Sequence, residues 1–91
     1  AIDRFQAVMD WPIRRVERSW AGLRSFAPDR LPLFGPDPDV DGLWWCAGQG
    51  GFGIQTAPAA AQLCASLIRK EALPLWLAGV DAPAYAPARL I

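Results

Sequence analysis

Leu43-Trp44-Trp45-Cys46-Ala47-Gly48-Gln49-Gly50-Gly51-Phe52-Gly53-Ile54-Gln55-Thr56 restricts the fold of this chain more than any other stretch. An apolar run of strand character leads into a turn dense in glycine, and an alanine-rich run with helical periodicity follows. Glycines at 48, 50, 51 and 53 let the backbone take positive φ and let another molecule approach where a Cβ would intrude. The helix beyond is expected to open with Thr56, Ala57 and Pro58. Its N-terminus would present unpaired N–H groups and about half a positive charge. A strand, a glycine corner and a helix start, in that order, suit an electron-rich ligand.

The flanks define the expected elements. Ile2, Phe5, Val8 and Met9 share one helical face, and Pro12 ends that pattern. From Ile13 to Ser25 the chain reads as extended, with Val16, Arg18 and Trp20 on one side. Leu31 to Gly35 can form a short second strand, and residues 36–42 are turn chemistry throughout. They deliver the chain to a third strand, Leu43 to Ala47. Adjacent Trp44 and Trp45 point to opposite faces of that strand, so both faces should be covered, as between helices on a mostly parallel sheet. A long helix is expected from about Gln55 to Lys70, striped by Ala59, Ala60, Leu63, Leu67 and Ile68. Pro58 falls in its first turn on this reading, where no donor is needed. Beyond Pro74 the tail should be irregular apart from a turn around Leu75 to Leu77. The fold class is α/β, or an α+β fragment.

At 91 residues and 53% hydrophobic, with five Trp and four Phe, the chain is richly apolar for its size. Some of that surface is expected to meet something outside the chain, which reads as the C-terminal portion of a larger protein. Nine basic and nine acidic residues cancel, leaving no electrostatic footprint for nucleic acid or an anionic membrane. No apolar run reaches the ~18 residues of a spanning helix. Cys46 and Cys64 read as two buried, reduced thiols, and with no His neither a thiolate–imidazole pair nor a zinc site can be built. A cytoplasmic compartment is expected, any targeting region lying upstream of this stretch.

Gly48-x-Gly50-x-x-Gly53 matches the dinucleotide fingerprint. That fingerprint also demands a second parallel strand ending in an acid about 20 residues on. Glu71 directly follows the helix instead, and Pro74 opposes a central strand after it. A nicotinamide-dependent oxidoreductase therefore stays a weaker alternative. So do a glycine turn that merely packs and a cofactor-free interaction module anchored by tryptophans. A second cluster, Ser19-Trp20-Ala21-Gly22-Leu23-Arg24-Ser25-Phe26, places an arginine at the end of an extended run beside a glycine.

Together the two clusters resemble the C-terminal end of the D-amino-acid oxidase family of FAD-dependent oxidoreductases. The likeness covers residues ~10 to 70 and is strongest to the D-amino-acid dehydrogenase branch that includes the D-arginine dehydrogenases. It implies the last piece of a two-domain flavoprotein. Residues 1–42 would end the substrate-binding domain as a helix plus antiparallel strands. Residues 43–91 would supply the closing strand, flavin loop, long helix and tail of the FAD domain. The implied activity is oxidation of a D-amino acid, or a related amino acid, at the Cα–N bond by hydride transfer to flavin N5. The resemblance makes Arg24 the residue that grips the substrate carboxylate and brings the Gly51 carbonyl near the substrate amine. It makes Gly50, Gly51, Phe52, Gly53, Ile54 and Gln55 the lining of the flavin. It assigns this chain no catalytic side chain. Many family members carry His where this chain has Gln49, which leaves any polar role of that side chain open. The family's adenine-binding segment has no counterpart here, so the chain is expected to be inactive alone. Its implied partners are the amino-acid substrate and the N-terminal part of the same protein. Alone, the chain is expected to self-associate through an open sheet edge.

Overall fold

The computed structural model describes all 91 residues, Ala1–Ile91. Its elements are helix α1 (Ile2–Val8), strands β1 (Leu33–Pro36) and β2 (Trp44–Ala47), helix α2 (Gly53–Arg69) and three short 3-10 turns in the tail. Apolar spacing accounts for α1, yet it buries no residue.

Asp37 organises the hairpin. Its Oδ1 accepts the N–H groups of Asp39 at 3.0 Å and Val40 at 2.8 Å, forming a side-chain-capped turn. Its Oδ2 accepts the Trp45 indole N–H at 2.8 Å. These donors, the indole foremost, hold the Asp37 carboxyl below its ordinary range. The turn returns the chain directly, so β1 and β2 pair antiparallel, Leu33 opposite Ala47 and Pro36 opposite Trp44. This corrects the expectation of a mostly parallel sheet, which would have needed a crossover of a dozen or more residues between the strands. Within this chain the faces of β2 are not both covered: Trp44 is half-buried and Trp45 is exposed. The two strands of this one hairpin lie on either side of position 42.

Helix α2 begins at Gly53, two residues before the expected start near Gln55 and three before Thr56. Phe52 is its N-cap residue, and the Thr56 hydroxyl donates to the Phe52 carbonyl at 2.7 Å, reinforcing the Thr56 N–H at 3.0 Å. Pro58 therefore sits inside the helix rather than in its first turn, and the Ile54 carbonyl has no N–H four residues on. Lys70, at φ 55, closes the helix in the left-handed conformation, and the Glu71 N–H returns to the Ser66 carbonyl at 2.9 Å.

The core lies where α2 crosses the hairpin. Phe34, Ala60, Leu63 and Leu77 are buried together, with Ala59, Cys64, Leu67, Leu73, Val80 and Tyr85 packed around them. Of the expected α2 stripe, Ile68 is left exposed, while Ser66 is buried and accepts the Gln62 amide at 3.1 Å. The tail is ordered rather than irregular. It forms turns at Leu75–Leu77, Ala82–Tyr85 and Pro87–Leu90, and the last two fold back onto β1. The Tyr85 and Phe34 ring centroids lie 5.8 Å apart. Gly35 admits Pro87: at φ +145 a Cβ there would stand 3.3 Å from the proline Cδ.

Residues 9–25 form no ladder, correcting the strand expected from Ile13 to Ser25. Alternation alone cannot hold a strand that has no partner to pair its N–H and C=O groups. The extended arm gives a radius of gyration of 18.0 Å, against about 12 Å for a compact chain of this length.

Candidate functional site: a glycine-walled groove

The arm rejoins the folded part at one seam. Phe26 bridges Gln49 in antiparallel fashion, and the Gly50 N–H donates to the Ser25 carbonyl at 3.1 Å. This brings Arg24 beside the glycine corner although some two dozen residues separate them. Arg24, Gly50, Gly51, Gly53 and Ile54 line one groove of about 610 Å³, with Gln49 and Cys46 on its wall. The Arg24 guanidinium makes no ion pair or hydrogen bond within the chain; the three ion pairs are Arg15–Glu17, Arg69–Glu71 and Arg89–Asp29.

The glycines serve different ends. Gly50, at φ +55, is dictated from inside the chain, since a Cβ there would lie 2.3 Å from Cε1 of Phe26. Gly51 faces open space, with no atom within 4 Å of an added Cβ. The Phe52 N–H is taken by the Gln49 carbonyl at 3.0 Å. No backbone carbonyl accepts from Gly51, Gly53, Ile54 or Gln55. The early start of α2 sets three of these four donors in its first turn, at the positive end of its dipole.

The side chains of two expected site residues lie outside this groove. Phe52 turns to the opposite side and lines an apolar pocket of about 270 Å³ with Phe34, Leu63 and Tyr85. Gln55 is exposed and its side chain lines neither cavity. Sequence reasoning did not single out Cys46 or Gln49 as groove residues. Their place directly before and within the glycine run was the available signal, and the Gln49 amide approaches the Cys46 sulfur at 3.5 Å. Cys46 is exposed, correcting the expectation of two buried thiols. Cys64 is half-buried, and burial, with the Cys46 thiol beside it, pushes its thiol up to about 11.

The βαβ unit of a nicotinamide site is not formed, because β2 pairs antiparallel and the chain after α2 enters 3-10 turns. Residues 1–67 match the family described as FAD dependent oxidoreductase. A tRNA 5-methylaminomethyl-2-thiouridine biosynthesis bifunctional protein of Polaromonas naphthalenivorans is 39% identical over 71 residues, 76% of this chain and 11% of that protein. A glycine oxidase of Pseudomonas aeruginosa is 41% identical over 69 residues, 76% of this chain and 18% of that protein. D-amino acid dehydrogenase 2 of Ralstonia nicotianae is 45% identical over 53 residues, 58% of this chain and 12% of that protein. The chain thus spans between 11% and 18% of the length of these curated relatives.

This chain belongs to the family of FAD-dependent oxidoreductases that also contains those proteins. FAD is the cofactor of that family, and the groove suits part of such a group. Its wall at Gly51 leaves room where a Cβ would stand, and four unpaired N–H donors surround the corner. No helix of the chain is long and apolar enough to cross a membrane.

Proposed function

We propose that these residues form the substrate- and flavin-contacting C-terminal part of an enzyme that oxidises an amino acid at its Cα–N bond. One observation carries the reading: an unpartnered guanidinium and a set of unpaired backbone donors share one groove. A carboxylate and an electron-rich ring system are complementary to those two features. FAD, when bound, supplies the hydride acceptor. Arg24 binds the substrate carboxylate through its planar fork, which orients the α-carbon. The N–H groups of Gly53, Ile54 and Gln55, with the α2 dipole behind them, hold the flavin and favour negative charge beside it. Gly50 and Gly51 shape the wall, and the Gly51 carbonyl faces the substrate amine. Phe52 supports the flavin loop through its side chain and Gln55 contributes its backbone donor. Residues 1–42 end a substrate-binding domain and residues 43–91 complete an FAD-binding domain, the two being joined by the hairpin.

Names of the relatives support an amino-acid substrate: a glycine oxidase and a D-amino acid dehydrogenase are among them. The N-terminal part of the polypeptide is the partner that covers the groove and provides the remaining flavin contacts. In the intact protein, Arg24→Ala should raise KM by about 10- to 100-fold, the worth of one charge-assisted carboxylate contact. The flavin absorbance spectrum should be preserved. Unaltered steady-state kinetics in that variant would remove Arg24 from the site.

A further inference from the structure

Arg89 makes the longest-range polar contacts of the chain. Its Nε donates to Asp29 Oδ2 at 2.7 Å, and its Nη2 donates to Asp29 Oδ1 at 3.0 Å and to the Leu31 carbonyl at 2.8 Å. Its Nη1 donates to the Ala86 carbonyl at 3.2 Å, within the tail. No other side-chain hydrogen bond spans more than the eight positions between Asp37 and Trp45, whereas Arg89 reaches back 60. The side chain is also sheltered, 15% exposed against 79% and 69% for the arginines of the other two ion pairs. A bidentate, half-covered fork of this kind carries structural information that a solvated surface pair does not.

What the fork holds is the corner leading out of the groove. The Leu31 N–H donates to Asp29 Oδ1 at 3.1 Å, the Arg30 N–H donates to the Ala27 carbonyl at 2.9 Å, and Arg30 takes φ 65. At one end of this corner Phe26 bridges Gln49 and packs on Gly50; at the other, Leu33 pairs with Ala47. Arg24 lies two residues upstream of Phe26, at the end of an arm that has no ladder of its own. Its position therefore depends on the seam at Ser25 and Phe26 and on the corner behind that seam. The tail carrying Arg89 is itself anchored on β1 through Tyr85 and Pro87.

We propose that Arg89 is a positioning residue for the site: its fork with Asp29 and the Leu31 carbonyl latches the C-terminal tail to the 27–31 corner and thereby sets Arg24 over the groove. This rests on the reading of Arg24 as the carboxylate-binding residue. Lysine at 89 keeps the charge but cannot span both carboxylate oxygens and the carbonyl in one plane.

The test uses the intact flavoprotein and four variants: Arg89→Met, Arg89→Lys, Asp29→Asn and Arg24→Ala. Benzoate serves as a substrate-sized carboxylate whose affinity is read by calorimetry, beside KM, kcat, flavin content and circular dichroism. Arg89→Met and Asp29→Asn should each weaken benzoate binding and raise KM by about tenfold, the scale of a small misplacement propagated from outside the reacting centre. Flavin content should be preserved, kcat should change less than KM, and Arg89→Lys should recover only part of the affinity. Benzoate binding at parental strength in Arg89→Met, with Arg24→Ala defective, overturns the latch alone. Parental benzoate affinity in Arg24→Ala overturns the carboxylate reading and the latch with it. Should Arg89→Met fail to fold, the two milder variants decide: weakened benzoate binding with normal circular dichroism supports the latch, and parental affinity in both overturns it.

Discussion

Residues 1–26 and residues 27–91 obey different rules within one chain. All eight buried residues lie between Ala27 and Pro87, and the arm before them contributes none. Trp20 and Leu23 are 79% and 99% exposed, whereas Leu63 and Leu77 are 3% and 4% exposed. Both regions are rich in apolar residues. The difference is partners: α2, the hairpin and the tail meet one another, while the arm's backbone is tied to the rest by one hydrogen bond at Ser25 and one bridge at Phe26. Apolar composition supplies a driving force for burial, but geometry decides whether any surface is available to receive it. The candidate groove sits on the seam between the two regions.

The sharpest way to strain that comparison is inside the core. Leu63→Ala should destabilise the folded region by about 2–5 kcal/mol, the usual range for emptying a buried leucine site. A fall in urea midpoint at unchanged slope is the expected result. An unshifted midpoint would mean that α2 does not need its contact with the hairpin. At the seam, Gly50→Ala should cost about 1–2 kcal/mol for a left-handed φ alone, with displacement of Phe26 added. Retained FAD with weakened benzoate binding would place the damage on the Arg24 side of the groove, and parental behaviour would show that Phe26 yields freely. Smallest of all, Trp20→Ala in the 91-residue chain should change stability by less than about 0.5 kcal/mol. The same substitution in the intact protein tests what covers the arm. A larger loss there would show that Trp20 is buried by the remainder of the polypeptide.

Much of the local structure was legible. Ile2, Phe5 and Val8 marked a helix, the proline- and aspartate-rich run at 36–42 marked a turn, and the stripe around Leu63 marked α2. Boundaries were harder. Thr56, Ala57 and Pro58 look like a helix start, yet Gly53 begins the helix because the Phe52 carbonyl captures both the Thr56 N–H and its hydroxyl. The tail misled more, since its prolines read as irregular chain. In fact Gly35 and Phe34 on β1 receive Pro87 and Tyr85, a fit that depends on residues some fifty positions away. Among the candidate site residues, Arg24 and the glycines were visible as motifs, and Phe52 and Gln55 belong to the same motif. Only the fold separates Phe52, turned toward the apolar pocket, from Ile54, turned toward the groove.

The order of residues by itself determined the periodic elements, the glycine corner and membership in a flavin-dependent family, because these rest on local spacing and on short motifs. Tertiary structure alone decided the antiparallel pairing, the meeting of Arg24 with the unpaired donors of α2, and the Arg89 latch. Those features join residues far apart in sequence. Which distant groups meet is set by the turn at Asp37, by packing around Leu63 and by the few hydrogen bonds at the seam, none of which local periodicity encodes.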